Sequence, residues 1–128
     1  MHRFWMIIAV AGGGAAGALA RWALVTAAQR STSTAFPVGT LAANAIGCLL
    51  AGFCYVWLVD QSASLLLRRA ILVGFLGALT TFSAYSVESI ELIDHGKYLH
   101  AGANLIGSVI VGLVAVLIGM ALARSLTG

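Results

Sequence analysis

Between Gly74 and Ser86 the sequence reads Gly-Phe-Leu-Gly-Ala-Leu-Thr-Thr-Phe-Ser-Ala-Tyr-Ser, and the seven residues from Thr80 onward hold two threonines, two serines and two aromatics. The approach to this stretch is apolar enough for a lipid-facing helix. A hydroxyl in hydrocarbon is costly unless it finds a partner or lines a path. The order of residues therefore points to a helix broken by a polar seam, with something small and polar crossing there. Gly77 and the β-branched pair Thr80 and Thr81 are poor helix formers. An unwound turn frees carbonyls, which lipid tolerates only when they are buried or bind something. Such carbonyls are hard oxygen ligands suited to a cation such as Na⁺. Helix N-termini facing the break would instead favour an anion.

Other polar residues sit in apolar surroundings. Asn44 lies in the run that follows Pro37, and Asn104 and Ser108 are four apart in the last run, so they share a helix face. Taken singly, each of these reads as interhelical glue worth about 0.6 kcal/mol. As a set with Thr80, Thr81, Ser83 and Ser86 they draw on three helices and offer mostly neutral donors, which favours a path. Hydroxyls and an amide NH₂ can solvate an anion. Phe82 and Tyr85, three apart, face the same way, and their ring edges carry the positive side of the aromatic quadrupole; ordinary packing is the plainer role for that pair. Arg21 is the one full charge deep in an apolar run. It either snorkels to the interface or gives a vestibule a potential that draws anions in.

The elements that position these groups follow from composition. The chain has 128 residues, of which 61% are hydrophobic and 9% charged. A soluble domain would carry roughly 25% charged residues, so the expected class is an all-α, polytopic membrane protein forming one domain over residues 1–128. Four runs reach the roughly 20 residues a membrane helix needs: Phe4 to Ala28, Val38 to Val59, a third from just after Arg68-Arg69 to Ile93, and Tyr98 to Ala123. Pro37 suits the first turn of the second, where its missing N–H costs nothing. The N-terminal run continues to Ala28 without a convincing cleavage site and reads as a span, not a signal peptide. Small-residue spacings such as Gly13-x-x-x-Gly17 and Ala43-x-x-x-Gly47 support close helix packing. Cys48 and Cys54 point in separate directions on one helix and read as small buried hydrophobes.

With four spans, Arg3, Arg68, Arg69 and Arg124 fall on one side of the membrane, and Arg30, Lys97 and the nearer Arg21 on the other. That asymmetry is too feeble for the positive-inside rule to choose an orientation. Either the termini are cytoplasmic or the protein inserts both ways up. A net charge of +3 is too weak and dispersed for nucleic acid. An enzyme is disfavoured because no nucleophile–base pair or metal-ligand cluster stands out, and His2, His95 and His100 fall at span ends. A β-barrel would need alternating ten-residue strands that the sequence lacks.

The segments Gly13–Arg21, Phe36–Gly47 and Gly74–Ser83 resemble, in order and spacing, the Fluc (CrcB) family of bacterial fluoride channels. The resemblance covers essentially the whole chain. It implies a third helix broken near its middle and a dual-topology antiparallel homodimer in the bacterial inner membrane. It also implies a structural Na⁺ held at the dimer centre by the backbone carbonyls of Gly77 and Thr80. Two fluoride pathways would flank that centre, lined here by Asn44, Phe82, Ser83, Tyr85, Ser86 and, on the fourth helix, Ser108, with Arg21 in a vestibule. Two positions depart from the family pattern. Tyr85 stands where a second Phe is usual, and Ala78 where a second Gly is usual. The Tyr85 hydroxyl can either donate to the ion or obstruct the aromatic box.

Three functions compete at this stage. Passive fluoride export, protecting against fluoride toxicity, agrees with the donor chemistry. A small dual-topology exporter of drugs and other organic cations would call for a carboxylate in the first helix, where Arg21 stands instead. A non-transporting assembly subunit would use every polar residue as glue.

Overall fold

A computed structural model describes residues 1–128, except for the side chain of His2, so that the expected interfacial role of His2 lies outside the described residues. Helix α1 covers His2–Ser31 and α2 covers Val38–Asp60. The third span is composite: α3, Leu65–Arg68; a π-helical segment, Arg69–Phe75; α4, Leu76–Leu79; and α5, Phe82–Asp94. Helix α6 covers Tyr98–Thr127. Four helical stretches are long and apolar enough to cross a membrane, which makes this a multi-pass membrane protein.

The helices overrun the apolar segments read from sequence. The third span begins at Leu65, ahead of Arg68-Arg69, because Ser64 caps it by accepting a hydrogen bond from the Leu67 amide at 3.3 Å. Helices α1 and α6 likewise continue past Ala28 and Ala123, since helical hydrogen bonding does not stop where hydrocarbon does. Pro37 stands one residue before α2, not inside it. It is the centre of a tight inverse turn (φ −77°, ψ 65°) in which the Val38 amide donates to the Phe36 carbonyl at 2.8 Å.

Two helix pairs organise the bundle. Helix α2 runs along α6, and α1 runs along the first half of the third span. Both pairs rest on glycine. A Cβ at Gly52 would strike the Val116 carbonyl and one at Gly119 the Leu49 carbonyl, so α2 and α6 meet backbone to backbone. A Cβ at Gly17 would strike the Phe75 carbonyl and one at Gly13 the Ala70 carbonyl, which seats α1 on the π-helical segment. Close approach of this kind replaces the missing hydrophobic drive between helices in lipid.

Helices α2 and α5 end in the same motif. The Ala63 amide donates to the Leu58 carbonyl and the Ser62 amide to that of Val59; Lys97 and Gly96 do the same to Leu92 and Ile93. The left-handed position is Gly96 (φ 70°) in one case and Ser62 (φ 49°) in the other.

The buried interior is small and partly polar: Leu58, Leu76, Leu79 and Leu92 share it with Thr40, Thr81, Ser89 and Asn104. Trp22, Ile106, Leu113 and Phe82 are among many large apolar side chains left exposed by the single chain.

Candidate functional site

The site grows from the interruption between α4 and α5. Thr80 (φ −85°, ψ 151°) and Thr81 (φ −148°, ψ 120°) are extended, between helical residues on either side. Gly77 itself stays helical within α4, and the helix gives way three residues later. What holds the two threonines is Asn44 on α2. Its Oδ1 accepts from the Thr81 amide at 2.7 Å, and its Nδ2 donates to the Thr81 carbonyl at 3.2 Å. An amide can only donate and a carbonyl only accept, so this clamp fixes which way the Asn44 side chain points.

The clamp changes the bonding around it. In an unbroken helix the Thr81 amide would bond the Gly77 carbonyl and the Ala84 amide the Thr80 carbonyl. Here Asn44 takes the first, and Thr81 Oγ1 takes the second at 3.1 Å as the N-cap of α5. The carbonyls of Gly77 and Thr80 are thus released from their helical donors. They are neutral, hard oxygen atoms, and Gly77 lies on the exposed surface of the chain.

Beside the break lies an open cavity of about 360 Å³ that brings together Asn44, Thr80, Thr81, Phe82, Tyr85 and Ser108, with apolar residues of α6 along one side. Cys48 also reaches it as a free thiol. The Phe82 and Tyr85 ring centroids are 5.4 Å apart with the planes tilted by 40°. Ser83, Ser86, Gly77 and Arg21 are not in its lining. Ser83 is exposed and touches the lining only through Thr81, its Oγ 3.1 Å from Thr81 Oγ1, and Arg21 is a partly exposed residue of α1.

Most hydroxyl protons here are already committed. Thr80 Oγ1 donates to the Leu76 carbonyl, Ser86 Oγ to that of Phe82, and Ser89 Oγ to that of Tyr85. Ser108 Oγ donates to Asn104 Oδ1 at 3.0 Å. Thr81 and Ser83 share one hydrogen bond, which leaves that pair a second proton. Asn44 also keeps one N–H beyond its bond to Thr81. With the ring edges of Phe82 and Tyr85, these are the donors least encumbered for a guest.

A second cavity, of about 190 Å³, opens toward the end of the bundle between Pro37, Glu88, Glu91, His95 and Lys97. It adjoins a pair that sequence reading did not single out: Thr40 Oγ1 donates to Glu88 Oε1 at 2.6 Å. Glu88 Oε2 is buried without a hydrogen-bond partner among the described residues. Thr40 is one helical turn before Asn44, on the same face, and that spacing was the available signal.

Residues 8–120 match the family described as CrcB-like protein, Camphor Resistance (CrcB). The chain belongs to this family. It is 44% identical over 120 residues to a protein of Stutzerimonas stutzeri named fluoride-specific ion channel FluC, a match that covers 93% of this chain and 97% of the relative. A protein of the same name from Maridesulfovibrio salexigens is 40% identical, with 97% of each chain covered. One from Nitratiruptor is 36% identical over 98% of this chain and 97% of its own length.

Within this CrcB-like chain the Tyr85 hydroxyl has a definite place. It donates to the Leu105 carbonyl on α6 at 2.9 Å, so the group that could have entered the cavity is tied to a neighbouring helix.

Proposed function

We propose that this chain is a passive, selective fluoride channel that exports the anion from the bacterial cytoplasm and so protects against its toxicity. The names of the relatives support the substrate, and the observation that carries the reading is the Asn44 clamp on Thr81, which sets neutral donors and ring edges around one cavity. Fluoride is small and tightly hydrated, so a pathway must replace water with fixed donors. Asn44, Phe82, Ser83 and Tyr85 are the residues to which we assign that task, with Ser86 and Ser108 beside them and Arg21 at a vestibule. Glu88, which accepts from Thr40, also lines the second cavity. The negative membrane potential drives the anion out with about 2.3 kcal/mol per 100 mV.

The working unit is an antiparallel homodimer with dual topology, its third helix interrupted at Thr80 and Thr81, embedded in the lipid of the inner membrane. In support, Phe82 is 79% exposed and Gly77 is uncovered in a single chain, which leaves the face around the break open to a second copy. The released carbonyls of Gly77 and Thr80 fit a structural Na⁺: they are uncharged, hard and without helical donors, and two subunits would supply four. When bound, the ion would offset the carbonyl dipoles clustered at the dimer centre.

Purified protein in fluoride-loaded vesicles, followed with a fluoride electrode beside a chloride control, tests the function. Rapid fluoride loss with chloride retained supports the channel. An organic-cation exporter or an assembly subunit would leave fluoride inside.

A further inference from the structure

Three polar side chains between α5 and α6 form a chain in which every proton's direction is determined. Ser89 Oγ lies 2.7 Å from the Tyr85 carbonyl, and a carbonyl has no proton to give, so the single Ser89 proton points there. The Ser89 oxygen must then accept, and the group facing it at 2.9 Å is Asn104 Nδ2. That sets the Asn104 amide with Oδ1 toward Ser108. Ser108 Oγ is 3.0 Å from this oxygen and donates to it. Ser89 and Asn104 are buried, with 1% and 2% exposure, so water does not compete for these bonds.

We propose that Asn104 is a positioning residue that holds the Ser108 proton away from the cavity. Ser108 lines that cavity, and with its proton committed it offers lone pairs only. It serves a permeating anion indirectly, by accepting one hydrogen of a water molecule whose other hydrogen faces the halide. It is not a direct ligand. The inference rests on the channel reading for its functional consequence and on hydrogen-bond geometry alone for the lock itself.

Asn104→Leu keeps the side-chain bulk and removes both poles of the amide. The freed Ser108 hydroxyl can then donate straight to fluoride. A hydrogen bond to a charged group holds it about tenfold more tightly, and conduction requires that the ion also leave. Efflux of fluoride from vesicles should therefore fall about tenfold in Asn104→Leu, and adding Ser108→Ala, which removes the trapping donor along with the water acceptor, should recover part of it. A further fall, or no change, on adding Ser108→Ala overturns the proposal. Ser89→Ala is the milder partner experiment. It removes the anchor that orients Asn104, and it should slow efflux in the same direction, again relieved by Ser108→Ala.

Thermal unfolding of the detergent-solubilised proteins reads the lock without any ion. Ser108→Ala should lower Tm in the wild-type background and leave it unmoved in Asn104→Leu; equal shifts in both backgrounds overturn the lock. Vesicles of wild-type protein that retain fluoride would instead remove the channel reading, with the unfolding comparison still deciding the lock.

Discussion

Asn44 holds Thr81 by both of its backbone groups, accepting from the amide at 2.7 Å and donating to the carbonyl at 3.2 Å. One side chain on α2 thereby does for Thr81 what a neighbouring strand would do. The extended Thr81 is tolerated inside an apolar bundle because both of its backbone polar groups are met. The same act frees the Gly77 carbonyl, and the Thr81 Oγ1 cap on the Ala84 amide frees that of Thr80. The interruption and the site are one piece of chemistry.

Asn44→Leu should therefore damage fold and function together. It leaves the Thr81 amide and carbonyl without partners, at about 1–3 kcal/mol for each buried group. The expected result is a clear drop in Tm and a fall in fluoride efflux of at least about tenfold. Stability and efflux both equal to wild type would remove the clamp from the account.

Phe82 should separate the two effects. Its ring is 79% exposed in the single chain, so little of the subunit's interior depends on it. Phe82→Leu should keep the helical circular-dichroism signal while lowering fluoride efflux about threefold to tenfold, the worth of an aromatic contact.

Tyr85 should behave as a ring, not as a hydroxyl. Its Oη is bonded to the Leu105 carbonyl at 2.9 Å. Tyr85→Phe should cost about 0.5–1.5 kcal/mol of stability and continue to conduct, whereas Tyr85→Leu should lose most of the efflux. Equal loss in both variants would show that the hydroxyl itself meets the ion.

Packing and turn geometry give two predictions of opposite sign. A Cβ at Gly17 meets the Phe75 carbonyl, so Gly17→Ala should lower stability by about 1–3 kcal/mol, read as a lower Tm in detergent. Ser62 is exposed at φ 49°, a conformation glycine adopts without strain. Ser62→Gly should raise stability by about 0.5–1 kcal/mol with efflux unchanged.

The four spans were legible because apolar runs of membrane length have few other meanings. The polar seam was legible because Thr80, Thr81, Ser83 and Ser86 stand out against such a background. Their partners were not. Sequence shows that Ser86 carries a hydroxyl; it does not show that the proton is spent on the Phe82 carbonyl one turn back. Nor does it show that Ser108 turns toward Asn104, although their spacing of four put them on one face. The helices run past the apolar segments at Arg68 and Ala28 because hydropathy marks the hydrocarbon boundary and capping marks the helix boundary. The π-helical segment at Arg69–Phe75, on which α1 seats through Gly13 and Gly17, had no local pattern to announce it. Thr40 was passed over because its partner, Glu88, is 48 positions away.

The central claim is that neutral donors and ring edges beside Thr81 take the place of water around a small halide. Vesicles containing the purified protein, loaded in turn with fluoride and with chloride and followed with a fluoride and a chloride electrode respectively, measure this directly. The account predicts that fluoride leaves rapidly from these vesicles but not from protein-free controls, and that chloride stays in both. Fluoride retained as completely as in those controls, by protein that is folded and inserted, would contradict it.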